Sequence, residues 1–372
     1  MDQSVLYLER VPDTVQRDHI DWGFRVSAIY GVDYRYTISD GLLSNQLTKS
    51  NKNYGLDLPM EYAELYIPQV AHGLLFRAGR FISVPDIEAQ LAPNNYMYSH
   101  SMTYTFDNFT NTGVLGTLAV TKNLFLQAGV VLGSDTYAGN TGVSVANPFP
   151  NALYPNSTFL KDPGAKPSFT GCIRYETDSA KDDIYLCVNG INSGAYGYNN
   201  LQWKGMTYYH KFTDRFHVSF ETYNIHETGV PNVNNPLVLA AMAAGGTPFS
   251  TSNFRYNAPD GAHCKDASSL TCRSNVQAEL IYWNYQFSPL DNLSVRMEDF
   301  NDFQGQRTGL ASNYEGFAVG VQHWLSPQIE LRPEIAYYHN DVGYGFDGNG
   351  NHGVAANRNQ EVVLSGDAVV HF

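Results

Sequence analysis

Charged side chains recur in this chain at positions where several of them can act together on an ion or a small polar solute. Three carboxylates lie in one long segment, residues 82–111, at Asp86, Glu88 and Asp107. Basic side chains lie at alternate positions of strand-like segments: Arg25, Arg35, Arg77, Arg174, Arg296 and Arg332. An acidic segment that faces a basic wall sets a transverse field, which orients a hydrated solute and selects it by charge. The alternative is that these charges only pair to satisfy a polar interior.

Carboxylates outnumber arginines among the positions that we expect on the same wall. They are Glu64, Glu176, Glu221, Glu279, Glu298, Glu330 and Glu334. A passage with net negative charge attracts cations and repels anions. The sequence therefore predicts a mild preference for cations.

The four cysteines form two pairs by position. Cys264 and Cys272 lie close together in a stretch rich in Asp, Ser and Gly, where a disulfide would stabilise the loop by roughly 2 to 3 kcal/mol. Cys172 and Cys187 lie on neighbouring strand candidates, and a bond between them is geometrically possible if the turn is centred midway. Two free thiols are an equally good interpretation of this second pair.

Ser99, His100 and Ser101 are the nearest match to a hydrolase site. Nucleophilic catalysis needs a base within hydrogen-bond reach of the hydroxyl and a third group that orients this base. Adjacent residues of a strand point to opposite faces, so His100 is poorly placed to serve Ser101. The histidines are scattered, and neither HExxH nor paired CxxC spacing occurs. We therefore expect no enzyme, no metal site and no cofactor.

Amphipathic strands are predicted by the alternation of apolar and polar residues. Between Ile20 and Tyr36 every second residue is apolar, and the run is long enough to cross a bilayer at a tilt. The segment from Gln360 to Phe372 also alternates and ends on an aromatic residue. Twelve further segments pair into hairpins: 58–67, 73–81, 112–120, 124–133, 168–177, 183–191, 201–212, 216–225, 274–287, 292–303, 314–325 and 328–339.

These fourteen strands and a candidate at Val5–Val11 predict an all-β fold, an antiparallel transmembrane β-barrel formed as one domain by residues 1–372. The short turns at one end of the barrel are expected on the periplasmic side. The long loops at the other end, which include 82–111 and 226–273, are expected on the extracellular side. The alternation of directions makes Val5–Val11 run downward. We therefore expect one more strand and a signal peptide upstream, giving about sixteen strands in the full protein.

Composition narrows the function classes. The formal net charge of −13 argues against a nucleic-acid partner, which would need a basic patch. The longest apolar run, Leu237 to Ala244, is too short for a membrane-spanning helix, so a membrane would be crossed by strands. A mean hydropathy of −0.30 agrees with this, since only alternate residues of a barrel strand face lipid.

Two segments resemble recurring motifs of the OmpL-like outer-membrane β-barrel porin family. They are VRMEDFNDFQGQRTG from Val295 to Gly309 and LRPEIAYY from Leu331 to Tyr338. GVDYRYT from Gly31, AGRF from Ala78 and the closing Phe372 agree, so the resemblance covers nearly the whole chain. It implies lumen positions for Arg296, Glu298, Arg332 and Glu334, and loop-end positions for Asp302, Gly305, Arg307 and Gly309.

The resemblance also implies a protein of the bacterial outer membrane that lets small hydrophilic solutes or ions diffuse passively. Its partners would be outer-membrane lipid and the barrel-assembly machinery, which would recognise the strand that ends on Phe372. With one strand restored upstream, the segment 82–111 becomes the third extracellular loop, which in general porins folds inward as the constriction loop. A homotrimer is expected by fold-level analogy. A surface adhesin or scaffold, with the loop 226–273 as its binding platform, is the alternative, and an outer-membrane hydrolase ranks below it.

Overall fold

The computed structural model describes residues 2–48, 50, 52–82, 86–91, 94–144, 161–162, 164–195, 200–243, 261–346 and 356–371. Fifteen strands form one sheet in which every neighbouring pair is antiparallel and every strand pairs with the next one along the chain. The predicted number of strands and their antiparallel order are confirmed. The edges of the sheet are its first and last strands, which are not hydrogen-bonded to each other within the described residues.

The strands of the sheet have the following bounds: β1 Gln3–Arg10, β2 Asp21–Gly31, β3 Gly55–Ile67, β4 Leu74–Ile82, β5 Thr110–Ala119, β6 Leu124–Ser134, β9 Ser168–Glu176, β10 Asp182–Ile191, β11 Gln202–Thr213, β12 Phe216–Pro231, β13 Thr271–Ser288, β14 Asp291–Asp302, β15 Ser312–Ser326, β16 Ile329–Asn340 and β17 Gln360–Val370. Two short strands, β7 Val143–Ser144 and β8 Lys161–Asp162, form a separate ladder. The helices are α1 Tyr34–Thr37, α2 Asn45–Thr48, α3 Met102–Thr105 and α4 Pro236–Ala243. None of the described helices is both long and apolar enough to cross a membrane.

Connections at the two ends of the sheet differ in length. At one end, β11 and β12 are joined by residues 214–215, β13 and β14 by 289–290, and β15 and β16 by 327–328. At the other end, residues 83–109 separate β4 from β5, and residues 232–270 separate β12 from β13. This asymmetry is typical of an outer-membrane barrel.

Period-two alternation puts one apolar face of each strand on the outside. On β2, Trp22, Val26 and Tyr30 are exposed, whereas Ser27 and Ile29 between them are buried. Trp22 is 54% exposed although it is a large aromatic side chain. Large apolar side chains that are exposed on strand after strand indicate an outer surface that contacts hydrocarbon.

Two predicted wall positions are wrong. Arg35 does not extend β2, because the strand ends at Gly31 and residues 34–37 form the helical turn α1. Glu279 points to the outer face of β13, since its neighbours Ala278 and Leu280 are the buried ones. At this level of β13 the apolar residues Ala278 and Leu280 face inward and the polar residues Gln277 and Glu279 face outward, so the expected alternation is inverted.

Candidate functional site

The segment between β4 and β5 lies against the inner faces of β12 to β16. Its described part, residues 86–91 and 94–109, is called the inner loop below. Met97 packs with Leu280 and Tyr282 of β13, Ala318 of β15 and Ala336 of β16. Further along the inner loop, Met102 and Phe106 pack on a second buried cluster of the inner wall. This cluster includes Trp203, Tyr223 and Phe300. The inner loop therefore occupies part of the bore.

Three arginines on this side of the bore donate hydrogen bonds to backbone carbonyls of the inner loop. Arg296 of β14 donates to the Ser99 carbonyl at 2.8 Å. Arg332 of β16 donates to the Asn95 carbonyl at 2.7 Å. Arg307, which follows β14, donates to the Phe106 carbonyl at 2.8 Å and to the Asp107 carbonyl at 3.3 Å.

Three glutamates of the same wall accept hydrogen bonds from backbone N–H groups of the inner loop. Glu221 of β12 accepts from Ile87 at 2.9 Å, and Glu334 of β16 accepts from Ser99 at 3.0 Å. Glu298 of β14 accepts from Met102 at 2.6 Å and from Thr103 at 3.3 Å. A loop that leaves bulk water must satisfy its backbone groups elsewhere, and charged wall residues do this here.

Arg296 is the centre of a buried polar network. Its side chain is 1% exposed and lies 3.5 Å from Glu88 of the inner loop and 3.7 Å from Glu298. Its guanidinium also donates to the Tyr338 hydroxyl at 3.0 Å. The Tyr282 hydroxyl donates to Glu88. The network joins one cation to carboxylates of both the wall and the inner loop.

The D-x-x-G-x-R-T-G series that carries the resemblance forms the turn after β14. The Asp302 carboxylate accepts from the backbone N–H groups of Gln306 at 3.0 Å, Arg307 at 2.8 Å and Thr308 at 2.8 Å. Gly305 has a φ of +67°, and a Cβ there would lie 2.7 Å from the backbone nitrogen of Ala311. Only glycine fits this position. Gly309 also has a positive φ, of +82°. The turn points Arg307 at the inner loop.

On the opposite side, a cavity of about 360 Å³ separates the inner loop from β2 and β3. Arg25 and Met60 line it on the sheet side. The residues that line it on the inner-loop side include Asp86, Glu88, Gln90 and Tyr104. Arg25 also pairs with Glu9 at 3.2 Å. An arginine and two carboxylates thus line the same space from opposite walls.

The other predicted arginines lie elsewhere. Arg77 pairs with Glu64 at 2.7 Å, and Arg174 pairs with Asp183 at 2.8 Å. Among the described residues, neither has an ion pair with the inner loop. Arg35 lies in α1, outside the sheet. The predicted assembly signal, Phe372, lies outside the described residues.

Both cysteine pairs are disulfide-bonded in this structure. Cys172 and Cys187 are direct partners in the register of β9 and β10, with a Cα–Cα distance of 4.1 Å, and both are buried on the inner face. Cys264 and Cys272 are joined across the loop that precedes β13, at 5.9 Å.

The serines of the hydrolase hypothesis bond to carboxylates and not to the histidine. Ser101 donates to Glu88 at 2.5 Å, and Ser99 donates to Glu334. His100 stacks on Tyr104, with ring centroids 4.1 Å apart. Among the described residues, the His100 Nδ1 atom has no hydrogen-bond partner. The arrangement has the geometry of a loop anchor.

Sequence reasoning missed several groups that position the inner loop and its neighbours. Tyr282 and Tyr338 hold Arg296 through their hydroxyls, but a wall tyrosine is not distinguishable from a girdle tyrosine in the sequence. Arg80 of β4 forms a fully buried pair with Asp57 of β3, at 2.9 Å. The AGRF motif contained this signal, since an arginine at the end of an apolar strand needs a buried acid.

Asp135, directly after β6, anchors the beginning of β5 and makes stability depend on pH. Its carboxylate accepts from the backbone N–H groups of Phe109 at 3.1 Å and Thr110 at 2.8 Å. Burial raises its pKa from 3.8 to about 6. A raised carboxyl pKa stabilises the fold below about pH 4, and this contribution is lost as the pH rises through about 6.

Asp135→Asn should therefore stabilise the protein at about pH 8, by at most about 3 kcal/mol, and leave it unchanged near pH 4. Asparagine keeps an acceptor oxygen and tolerates the residue's φ of 47°. Urea unfolding in detergent at both pH values measures the effect. The control is Asp178→Asn, an exposed turn carboxylate paired with Lys122. Lower stability of Asp135→Asn at pH 8 would contradict the assignment.

Comparisons with known proteins agree with this fold. The family model described as "Putative beta-barrel porin-2, OmpL-like" matches residues 2–372. Among solved structures, the chain is similar to the outer membrane channel DcaP of Acinetobacter baumannii, with 9% identity and a TM-score of 0.50 over 94% of this chain and 81% of that one. It is also similar to an anion-selective porin from Comamonas acidovorans, with 11% identity and a TM-score of 0.54 over 99% and 89% of the two chains. Among curated proteins, no sequence matches significantly. At these identities the structural likeness shows the fold alone.

Proposed function

Because the chain belongs to the OmpL-like family of β-barrel porins of the bacterial outer membrane, we propose that it forms a water-filled channel for passive diffusion of small hydrophilic solutes or ions, with a mild preference for cations. The observation that carries the proposal is the inner loop, which the wall holds inside the bore through both carbonyl and N–H groups. A loop fixed in this way would narrow the passage permanently and leave it open.

The geometry does not support a simple acidic loop opposite a basic wall, because the charged residues have two different roles. Arg296, Arg307 and Arg332 donate hydrogen bonds to the inner loop, so their main role is to hold this loop in place. Arg25 is the wall cation that faces the cavity across from Asp86. The field across the passage is therefore proposed to act between the β2 wall and the beginning of the inner loop.

The proposed cation preference rests on carboxylates that have no ion pair with a basic side chain among the described residues. Within the described residues, Asp86, Asp107 and Glu221 have no ion pair shorter than 4 Å, whereas the wall arginines named above are all bonded. Burial and the charge of Glu221 raise the pKa values of Asp86 and Asp107 well above the ordinary range. Their charge, and with it the preference for cations, should grow as the pH rises.

The reversal potential across a planar bilayer in a KCl gradient tests this preference. We expect a stronger preference for K⁺ over Cl⁻ at about pH 9 than at about pH 5, because carboxyl groups with raised pKa values become more fully ionised as the pH rises. Asp86→Asn with Asp107→Asn should remove most of this difference. The matched control is Glu279→Gln with Glu315→Gln, which removes two carboxylates of the outer face. Anion selectivity in the unmodified protein, as named for the Comamonas porin, would reject the proposed preference.

The remaining partners are proposals at the level of the family. We propose contact with outer-membrane lipid through the exposed apolar face, assembly through the C-terminal strand, and a homotrimer by analogy of fold. No geometry in the described residues favours a hydrolase or an adhesin over a channel.

A further inference from the structure

Three carboxylates from two different parts of the chain converge at the inner loop. Asp86 and Asp107 lie near the two ends of the inner loop, and Glu221 lies on the inner face of β12. One oxygen from each lies within 4.8 Å of the other two. Three carboxylates this close cannot all be ionised unless a cation offsets their repulsion; without one, protons must neutralise part of the charge.

Protein cations do not supply that compensation within the described residues. None of the three carboxylates has an ion pair shorter than 4 Å there. Two arginines of the same wall pair with other carboxylates instead: Arg296 with Glu88 and Arg332 with Asp367. Glu221 accepts one bond from the Ile87 N–H at 2.9 Å, and Asp107 accepts one from the Asn108 N–H at 2.6 Å. Each carboxylate keeps acceptor capacity that these bonds do not use.

A buried, unpartnered hydroxyl points to a ligand at the same place. Tyr104 is 3% exposed, and its Oη has no hydrogen-bond partner among the described residues. Tyr104 lines the cavity of about 360 Å³ together with Asp86. A buried hydroxyl without a partner is unfavourable, because it has lost its hydrogen bonds to water, so a ligand that contacts it is favoured.

The chemistry of the donor set selects the class of ligand. Carboxylate and hydroxyl oxygens are hard donors, and neither histidine nor cysteine belongs to the cluster. Ca²⁺ takes six to eight oxygen ligands in flexible geometry and accepts water for the remainder. The adjoining cavity has room for such waters.

We propose that Asp86, Asp107 and Glu221 bind a divalent cation of the Ca²⁺ class inside the bore, with Tyr104 beside it. The ion joins both ends of the inner loop to β12 and so fixes the width of the passage. This inference deepens the proposed function by naming a ligand of the same passage, and it rests on that function only for the access of the ion from water.

Tb³⁺ is a suitable probe, because it replaces Ca²⁺ at oxygen sites and a nearby tyrosine sensitises its emission. The full chain, folded in detergent without lipopolysaccharide, is titrated with Tb³⁺ and then with Ca²⁺ as competitor. We expect saturable emission that Ca²⁺ reverses. Glu221→Gln should weaken Tb³⁺ binding at least about tenfold, since the site loses one of three charged ligands. Tyr104→Phe should lower the emission more than the affinity.

Glu279→Gln is the matched control, because it is the same chemical change on the neighbouring strand but on the outer face. It should leave Tb³⁺ binding unchanged. Equal binding by the unmodified protein and Glu221→Gln, or equal loss in Glu221→Gln and Glu279→Gln, would overturn the site. Channel current measured on the same preparations separates the two proposals. A conducting protein without Tb³⁺ binding refutes the ion site alone, and Tb³⁺ binding without conductance refutes the channel alone.

Discussion

Arg296→Met is expected to lower the free energy of unfolding by about 3–5 kcal/mol, because it leaves two carboxylates in a buried network without their cation. Arg296 is 1% exposed and lies beside Glu88 and Glu298. The substitution also removes the donor to the Ser99 carbonyl. Urea unfolding in detergent, followed by tryptophan fluorescence, measures the loss. The inner loop should become more accessible to protease in the same variant.

Arg174→Met is the control for this prediction. Arg174 also pairs with a carboxylate at 2.8 Å, but its side chain is 30% exposed. Partly exposed pairs contribute roughly 0–1 kcal/mol, so this variant should change little. Adding Glu88→Gln and Glu298→Gln to Arg296→Met should restore part of the stability, since it removes the unpaired charges. Equal and small losses in Arg296→Met and Arg174→Met would show that the network does not hold the inner loop.

Arg80→Met should have an effect of similar size, about 3–5 kcal/mol, for the same physical reason in another part of the fold. Both side chains of the Arg80–Asp57 pair are completely buried, and the two contacts measure 2.9 Å each. Thr37 of α1 donates to the same carboxylate at 2.7 Å. Arg80→Lys should be intermediate, because lysine keeps the charge but cannot bind the carboxylate with two parallel hydrogen bonds.

A matched control for Arg80 lies on the same strand. Arg77 pairs with Glu64 at 2.7 Å, but it is partly exposed, so Arg77→Met should cost little. The double variant Asp57→Asn, Arg80→Met should be more stable than Arg80→Met alone, as no unpaired charge remains. Unfolding midpoints in urea rank the four variants, which are Arg80→Met, Arg80→Lys, Arg77→Met and the double variant. An Arg80→Met protein as stable as Arg77→Met would refute the role assigned to this pair.

The sheet was predictable from the sequence because each hairpin carries its own signal. Period-two alternation and short turns gave the fifteen strands, and the register of Cys172 opposite Cys187 is the one a centred turn predicts. The alternation failed where tertiary packing changes the inner face. At Glu279 the bore is apolar because Met97 of the inner loop packs on Leu280 and Tyr282, so the polar residue of β13 faces outward at this level.

The partners that the wall charges have in the inner loop were not predictable where they are backbone atoms. Arginines on the wall suggested a row that faces an acidic loop. In the structure, Arg296 and Arg332 donate to carbonyls of that loop, and Glu298 and Glu334 accept from its N–H groups. A sequence gives the side chains of a loop but not where its backbone groups will be satisfied. Most of these charged residues therefore fit the alternative interpretation, in which they satisfy polar groups inside the barrel.

A consequence for selectivity follows from this division. Charges that hold the inner loop cannot be exchanged freely, because each one satisfies a buried group. Arg25 lines the cavity and pairs with Glu9 of β1, so it does not hold the inner loop. Changes of ion preference should therefore be found by substitution at the cavity, and losses of stability by substitution at the network around Arg296.

The central claim, that the barrel encloses an aqueous passage narrowed by a fixed loop, is tested most directly by single-channel current through the unmodified protein in a planar bilayer. The account predicts discrete, ohmic current steps in KCl. Absence of any current from protein that inserts into the bilayer in its folded form would contradict it.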